Sequence, residues 1–402
     1  MKRSLQIRVG LKDADVVGNT NIALQAAVDY VGGLGGGTVA IGPGVYLMED
    51  SLHLRNGVHV QGSGEETVLR KADGASSPLA TDGDYGEEQI TVTDDIGLRP
   101  GSGVTVCYAG GHGFHTTVAT VIAQVGSHTY AINRPLVNDY LVARQAQAQT
   151  TFPIISGYHL TDVTIGNLTI DGNKEHNPFL GGCRGGGIFL YRVNSAQIRA
   201  VTVVDYNGDG ISYQQSCDVV VEECTVSGCT GHGLHPGSGS QRTGIRRCVV
   251  RESGRDGLFV CWRVQHSLFE ANELIGNGAA GVSIGHKDTD NMFRGNVIAQ
   301  NRQHGVLFRN EPEVLAAHRN RFEANRVVDN GSEKGGCGFF IGGETCDITI
   351  VGNVIADTRP PARRTQRYGV FVDEKARNVC VEDNEMSGHL VQDLFYATKK
   401  DS

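Results

Sequence analysis

One glycine that recurs along the chain limits the possible folds more than any other feature. It precedes alternating apolar residues at Gly187, Gly210, Gly233, Gly257, Gly281, Gly305, Gly338 and Gly369. The spacings are 23, 23, 24, 24, 24, 33 and 31 residues. Alternating pairs such as Leu258/Val260 and Val282/Ile284 are typical of strands, and the short spacing leaves no room for a useful helix between them. The repeat therefore predicts a solenoid in which each unit of about 24 residues forms one coil.

Asparagines recur at a fixed distance from this glycine. Fifteen residues after the glycine stand Asn272, Asn296, Asn353 and Asn384, with Asn325 in the same context of a longer unit. Five residues further along stand Asn277, Asn301 and Asn330. Asparagine tolerates the left-handed conformation of tight corners, and its amide can hydrogen-bond to copies in the coils above and below. The pattern predicts buried asparagine ladders between coils about 4.8 Å apart.

Composition supports an ordered, turn-rich chain. Glycine accounts for 55 of 402 residues, while only 10 are proline, which favours many tight turns within folded structure. The ten cysteines form no CxxC pair, and most lie in strand-like segments, which favours reduced thiols in the cytoplasm. No signal peptide and no apolar run of about 18 residues is evident. A cytoplasmic protein without a membrane span is therefore expected, or a secreted one if a signal peptide was trimmed.

Residues 35–75 and 153–390 resemble right-handed parallel β-helices of the pectin-lyase-like superfamily. The stretch "GGGTVAIGPGVYLMEDSLHLRNGVHVQGSG" resembles the first coils of that family, and "NTNIALQAAVDYVGG" predicts an amphipathic helix that covers the open end. Residues 76–152 break the repeat with alternating strands and hairpin-like turns. The predicted fold is all-β: a right-handed parallel β-helix, or solenoid, with an N-terminal capping helix and an inserted β-subdomain. The predicted divisions are 1–75, 76–152 and 153–402, the last continuing the solenoid of 35–75.

Three consecutive coils place Asp209, His232 and Asp256 just before the repeated glycine. "NGDGI" and "GHGL" resemble two motifs of polygalacturonases, members of the same superfamily, although the paired aspartate of that family has no counterpart here. Asp209 and Asp256, two coils apart, should be about 9.6 Å apart at the backbone, and inverting glycosidases hold their carboxyls about 6.5–9.5 Å apart. These residues predict a solvent-facing catalytic groove, with the two aspartates as acid and base and His232 as an auxiliary. The prediction requires a bend at the glycine, because a charge pointing into an apolar bore is too costly. Simple capping of coil corners is the alternative.

Nearby loop positions supply candidate sugar-binding side chains: His235, Trp262, Arg263, His286, Lys287, Arg309 and Glu311. An indole offers a broad apolar face for stacking a sugar ring, and the cations can pair with carboxylates or sulfates. Residues 231–311 hold ten Lys/Arg against seven Asp/Glu, in a chain of net charge −8, which favours an anionic glycan. Corner packing and solvated salt bridges are the structural alternatives.

The segment "HKDTDN" suggests a calcium site through Asp288 and Asp290. Its ligand set is incomplete, so a side-chain-capped turn is favoured, and no other metal or cofactor is expected.

The sequence leaves three functions open. The first is hydrolysis of a poly- or oligosaccharide, as above. The second is a polysaccharide lyase, with His232, His235 or Lys287 as base and Arg309 or Arg263 neutralising a uronate. The third is a non-catalytic glycan-binding or spike-like β-helix, since a fold does not fix a function. A nucleic-acid partner is not expected, because the basic residues lack interleaved aromatics, and a homo-oligomer is left open.

Overall fold

The computed structural model describes residues 5–398, and its fold is a right-handed parallel β-helix. Two compact units are present. The first unit comprises residues 5–190 with 201–212, and the second comprises 191–200 with 213–398. Within the described range, no helix is both long and apolar enough to cross a membrane. The three divisions expected from the sequence stay a prediction.

The first unit contains the helix α1 (Asn21–Gly33) and the early strands. Its strands are β1 (Gln6–Gly10), β2 (Val16–Val17), β3 (Gly37–Ile41), β4 (Gly44–Met48), β5 (Leu52–His53), β6 (Val58–Gln61), β7 (Thr67–Lys71), β8 (Ser76–Pro78), β9 (Gln89–Thr91), β10 (Gly103–Cys107), β11 (Thr117–Gly126), β12 (Thr129–Ile132), β13 (Gln147–Gln149), β14 (Ile155–Tyr158), β15 (Thr161–Asp171) and β16 (Gly186–Tyr191, whose last residue belongs to the second unit). The strands β17 (Asn194–Val204) and β18 (Asp209–Gln214) also include residues of both units. Short 3-10 helices occur at Gly113–His115, Val142–Arg144, Lys174–His176 and, in the second unit, Pro361–Arg363.

The predicted N-terminal helix is confirmed as α1. It buries Leu24, Ala27, Val28 and Val31 and packs on strands β1, β3, β5 and β6. Apolar residues at helical spacing therefore turn one face of α1 toward the first strands of the solenoid.

The inserted β-subdomain is confirmed as well. Strands β8 to β13 form a separate six-stranded sheet in which every strand pair is antiparallel. The insertion has its own buried core, which includes Val104, Val121, Ile132 and Tyr140.

The second unit repeats a coil of three parallel strands. Its strands are β19 (Cys217–Glu222), β20 (Thr225–Ser227), β21 (Leu234–Gly237), β22 (Gly244–Arg246), β23 (Val249–Arg251), β24 (Leu258–Phe259), β25 (Leu268–Glu270), β26 (Glu273–Ile275), β27 (Val282–Ile284), β28 (Met292–Arg294), β29 (Val297–Ala299), β30 (Val306–Phe308), β31 (Arg321–Glu323), β32 (Arg326–Val328), β33 (Gly336–Ile341), β34 (Cys346–Val351), β35 (Val354–Ala356), β36 (Gln366–Val372), β37 (Arg377–Glu382), β38 (Glu385–Ser387) and β39 (Gln392–Tyr396). Every third strand pairs in parallel, so the unit has three strand stacks. We call the one that runs from β21 through β24, β27, β30, β33 and β36 to β39 the third stack.

The register of the third stack confirms the repeat read from the sequence. Leu258 pairs with Val282, Val282 with Val306 and Val306 with Phe339. Each of these residues directly follows a repeated glycine. The longer spacing before Phe339 is therefore taken up in a loop, and the strand register is kept.

The asparagine ladders are confirmed and buried. In one ladder, Nδ2 of Asn272 donates to Oδ1 of Asn296 at 2.9 Å, and Asn296 donates in the same way to Asn325 at 2.9 Å. In the other, Asn277 donates to Asn301 at 2.9 Å. Each Oδ1 also accepts the backbone N–H of the preceding asparagine, as Asn296 does from Asn272 at 3.0 Å. One amide oxygen thus accepts hydrogen bonds from both the backbone and the side chain of the asparagine in the neighbouring coil.

Candidate functional site

The candidate site lies on the outer surface of the third stack in the second unit. In β24 and the residue after it, Leu258 and Val260 are buried in the bore, and Phe259 between them is half-buried. Successive side chains of a strand point to opposite faces, so Phe259 points away from the bore.

Three polar side chains surround Phe259. The ring of His232 stacks on Phe259 with centroids 4.0 Å apart and planes 8° apart. The ring of His235 meets Phe259 edge-on at 4.9 Å, and the Arg309 guanidinium lies 4.8 Å from the ring centroid. Phe259 therefore brings together side chains from three coils.

His232 and Asp256 lie in contact at the corner before β24. His232 Nδ1 lies 3.2 Å from Asp256 Oδ2, and Asp256 Oδ1 accepts the backbone N–H of Ala280 at 2.8 Å. The chain thus bends at the glycine as the sequence analysis required, because the His232 ring lies on the outward side, against Phe259. Their side chains are only 9 % and 10 % exposed.

The sequence predicts an open groove at these residues, and the structure differs from that expectation. Asp209, His232 and Asp256 are all buried. At His232 and Asp256 the cause is visible, since the carboxylate caps a corner N–H and Phe259 covers the imidazole. Asp209 belongs to the first unit, where its backbone N–H donates to the carbonyl of Gly185 at 2.5 Å. The catalytic roles of these three residues stay predictions.

A second group of predicted residues meets at the turn after the third-stack strands. Trp262 has 52 % of its surface exposed, and its ring stacks flat on His286 with centroids 4.9 Å apart and planes 8° apart. His286 Nε2 lies 2.9 Å from Glu311 Oε1. Burial and the nearby Arg309 lower the pKa of His286, against the opposing effect of Glu311. A neutral imidazole therefore donates to the carboxylate at neutral pH and supports the exposed indole.

Arg309 is committed to internal partners, contrary to the expectation that it binds substrate. Its Nη1 donates to Ser283 Oγ at 2.9 Å, and its Nη2 donates to the Val260 carbonyl at 2.8 Å and lies 3.3 Å from Asp288 Oδ2. Burial raises the pKa of Asp288 to about 7, against the lowering by Arg309. Arg309 therefore ties neighbouring coils together and has no free edge for a bidentate substrate contact.

The remaining predicted cations are exposed. Arg263 and Lys287 lie next in sequence to Trp262 and His286, both with left-handed backbone. Neither side chain forms an ion pair with any residue of 5–398. Two unpaired positive charges thus belong to the residues that directly follow Trp262 and His286 in sequence.

Asp288 and Asp290, the residues of the calcium hypothesis, accept hydrogen bonds from protein donors. Asp288 accepts the backbone N–H groups of Val264 and Gly285 besides the Arg309 contact. Asp290 pairs with Arg319 at 2.8 Å. Asp288 thus caps a turn and Asp290 forms an ion pair, while the calcium hypothesis stays untested. Across residues 5–398, no group of three or more His, Cys, Asp or Glu side chains is arranged to hold a metal ion.

Sequence reasoning missed Phe259 and Ser283, the two strand residues that complete the site. A signal was present, since Phe259 alternates with two bore residues and must point outward. No local signal marks Ser283, because its role depends on an arginine that lies 26 residues away in sequence.

A family model described as "Right handed beta helix region" matches residues 155–261, 186–355 and 237–398, which together cover more than half of the chain. The chain belongs to the right-handed β-helix family. A comparison of this β-helix protein with curated sequences finds no match.

Solved structures resemble this β-helix protein in fold. The A-module of the mannuronan C-5 epimerase AlgE6 from Azotobacter vinelandii has a TM-score of 0.60 at 15 % identity, with 98 % of this chain and 100 % of that chain covered. The surface protein and adhesin PfbA of Streptococcus pneumoniae has a TM-score of 0.55 at 14 % identity, with 97 % of each chain covered. The Dettilon tailspike protein has a TM-score of 0.56 at 11 % identity, with 94 % of this chain and 65 % of that chain covered. At these identities the likeness concerns the fold alone.

Proposed function

We propose that this β-helix protein recognises an anionic poly- or oligosaccharide on the outer surface of the second unit. The observation that carries the proposal is the exposed Trp262, stacked on a histidine that is itself fixed by Glu311. A rigid aromatic face binds a sugar ring with little loss of side-chain entropy, because its support already holds it in place. Arg263 and Lys287 then supply charge for carboxylate or sulfate substituents.

Binding to defined polysaccharides tests this proposal. Mannuronan is the first probe, since a protein of similar fold is named for acting on it; polygalacturonate is the second, and neutral dextran is the control. Calorimetry should detect binding of a polyuronate that weakens with added salt, and no binding of dextran. Trp262→Ala should weaken that binding about tenfold, or about 1.4 kcal/mol, while Tyr85→Ala, an exposed aromatic of the first unit, leaves it unchanged. Equal binding by wild type and Trp262→Ala would place the site elsewhere.

A matched pair of double variants tests the charge. Arg263→Ala with Lys287→Ala should reduce affinity for the polyuronate. Arg302→Ala with Lys334→Ala removes the same charge from other exposed positions and should have a smaller effect. Equal losses in both would mean that only the net charge matters, which contradicts a localised site.

A second candidate function is cleavage of the same glycan. It is supported by the contact between His232 and Asp256, since a carboxylate that orients an imidazole is the usual support for a general base. The version predicted from the sequence is hydrolysis by Asp209 and Asp256, which needs two accessible carboxylates. The alternative is elimination, which needs a base and a neutralising cation. Arg263 or Lys287 would provide that cation, because Arg309 is engaged by Asp288.

Product analysis separates these versions. Elimination from a polyuronate creates a double bond that absorbs near-ultraviolet light, whereas hydrolysis releases reducing ends without that absorbance. Loss of either product in His232→Gln, with binding retained, would support a catalytic dyad. Binding without any product from mannuronan or polygalacturonate would favour a glycan-binding protein without catalysis.

A further inference from the structure

A serine, a histidine and an aspartate form a hydrogen-bonded chain in the first unit. Ser156 Oγ lies 2.9 Å from His53 Nδ1, and His53 Nε2 lies 3.1 Å from Asp50 Oδ2. His53 in β5 and Ser156 in β14 are register partners in parallel strands. Their side chains therefore project from the same face. Asp50 precedes β5 by two residues, on the turn after β4.

The aspartate is held firmly. Asp50 is buried; its Oδ2 accepts the hydroxyl of Thr120 at 2.6 Å, and its Oδ1 accepts the backbone N–H of Ser51 at 2.8 Å. A Cβ at Gly103 would stand 2.6 Å from Asp50 Oδ1, so only glycine leaves room for the carboxylate there.

This arrangement fixes the tautomer of a neutral His53. An ionised carboxylate only accepts hydrogen bonds, so the proton of a neutral His53 lies on Nε2, which faces Asp50. The unprotonated Nδ1 is then turned to the Ser156 hydroxyl, as a general base requires.

The inserted subdomain closes a cleft over these residues. Asn133, Arg134 and Tyr158 line it together with Asp50, His53 and Ser156. The His53 side chain is 26 % exposed, so solvent reaches the cleft at the imidazole. The Arg134 guanidinium lies 3.7 Å from the Tyr158 ring centroid. Tyr158 follows Ser156 by two residues on the same face of β14. Arg134 forms no ion pair within the described chain. Its guanidinium can therefore stabilise negative charge that develops beside Ser156.

We infer that this cleft is a second active site, which hydrolyses small acyl esters. Ser156 is the nucleophile and His53 the general base. Asp50 and Thr120 are positioning residues, and Arg134 stabilises the oxyanion. The inference goes beyond the proposed glycan recognition and does not depend on it; an O-acetylated sugar is one member of the substrate class.

The reaction balances with water as the only co-substrate. Ser156 Oγ bonds to the acyl carbon while its proton passes to His53, and the carbonyl electron pair moves onto the oxygen. When the carbonyl re-forms, the bond to the alkoxide breaks, and the alkoxide takes the proton from His53 and leaves as an alcohol. Water then attacks the acyl group on Ser156 and gives a proton to His53. The carboxylic acid leaves as Ser156 regains that proton.

The first test uses p-nitrophenyl acetate and a fluorophosphonate with the full chain. Wild type should release nitrophenol at least about 100-fold faster than Ser156→Ala, and mass spectrometry should locate the phosphonyl group on Ser156. Ser77→Ala, another buried serine of the first unit, should keep the wild-type rate. Should Ser156→Ala fail to fold, the location of the label in wild type decides the question. No label on Ser156, or no hydrolysis above buffer, would overturn the inference.

The second test addresses the supporting residues. His53→Gln should abolish turnover, whereas His59→Gln, which replaces a histidine hydrogen-bonded to Thr164 away from the cleft, should not. Thr120→Val should lower kcat and change KM less. Thr120→Ser, which keeps the hydroxyl, should restore kcat. Equal rates in Thr120→Val and Thr120→Ser would contradict the positioning role of that hydroxyl.

Discussion

Arg309 illustrates how far a residue type can mislead when its partners are unknown. From sequence it is an exposed cation suited to a sugar acid, whereas in the structure it contacts Ser283, Val260 and Asp288. Removing one partner of a buried ion pair lowers the stability of the protein strongly, because the other charge stays buried without compensation.

This predicts an asymmetry between single and double replacements. Arg309→Met should lower the free energy of unfolding by about 3–5 kcal/mol, since Asp288 would stay buried without its cation. The double variant Arg309→Met with Asp288→Asn should recover a large part of that loss. Urea denaturation measures both, and a double variant as unstable as the single one would show that Asp288 is not the reason.

Lys71, in the first unit, is a second buried titratable group, and it predicts a pH effect. Its side chain is almost fully buried, with Nζ 4.4 Å from the Phe152 ring centroid and donating to the Ala72 carbonyl at 2.9 Å. Burial lowers the pKa of Lys71 from 10.5 to about 7, against the opposing effect of nearby acids. Between these two values the unfolded chain binds more protons than the folded one, so the free energy of unfolding rises with pH.

The expected slope of stability between about pH 7 and pH 10 is positive, up to about 1.4 kcal/mol per pH unit. Lys71→Met should remove this part of the slope, and Lys375→Met, at an exposed position, should leave it. Denaturant titrations at several pH values measure the difference between the variants. Parallel curves for wild type and Lys71→Met would contradict the buried, neutral amine.

Among the elements, the asparagine ladders carry the clearest consequence. Asn296 lies between Asn272 and Asn325 and hydrogen-bonds to both, and its Nδ2 also donates to the Phe269 carbonyl at 2.9 Å. Asn296→Ala should lower the free energy of unfolding by about 1–3 kcal/mol, because buried partners lose their hydrogen bonds. Asn310→Ala, at an exposed turn, is the matched control. Equal thermal stability of both variants would contradict the ladder's contribution.

The solenoid was predictable from the sequence because its determinants are local and repeat. A glycine, two alternating apolar residues and a corner asparagine recur in each coil, so strand register and ladder follow from spacing alone. The chemistry was less predictable, since a side chain at a corner can point to solvent, cap the next coil or pack on a ring. The predicted groove required His232 and Asp256 to leave the bore, but the covering of the His232 ring by Phe259 depends on contacts between coils. The Ser156–His53 contact joins residues 103 apart in sequence, and no spacing rule indicates it.

At the scale of the whole molecule, the proposed glycan-recognition site and the proposed ester-hydrolysing site each lie within a single unit. Trp262, His286 and Glu311 all belong to the second unit, whereas Asp50, His53 and Ser156 all belong to the first. Neither set borrows a side chain from the other. The two activities should therefore be lost separately.

Crossing the variants tests this separation. Trp262→Ala should bind the polyuronate about tenfold more weakly and keep the wild-type rate on p-nitrophenyl acetate, whereas Ser156→Ala should keep the binding and lose the hydrolysis. The double variant should show both losses at the size of the single ones, since sites without shared partners give additive effects. Both assays are run on one preparation of each variant, with the thermal unfolding midpoint as the check on folding. If Trp262→Ala also lowers ester hydrolysis while that midpoint is unchanged, the two sites are coupled and the assignment of each activity to one unit is wrong.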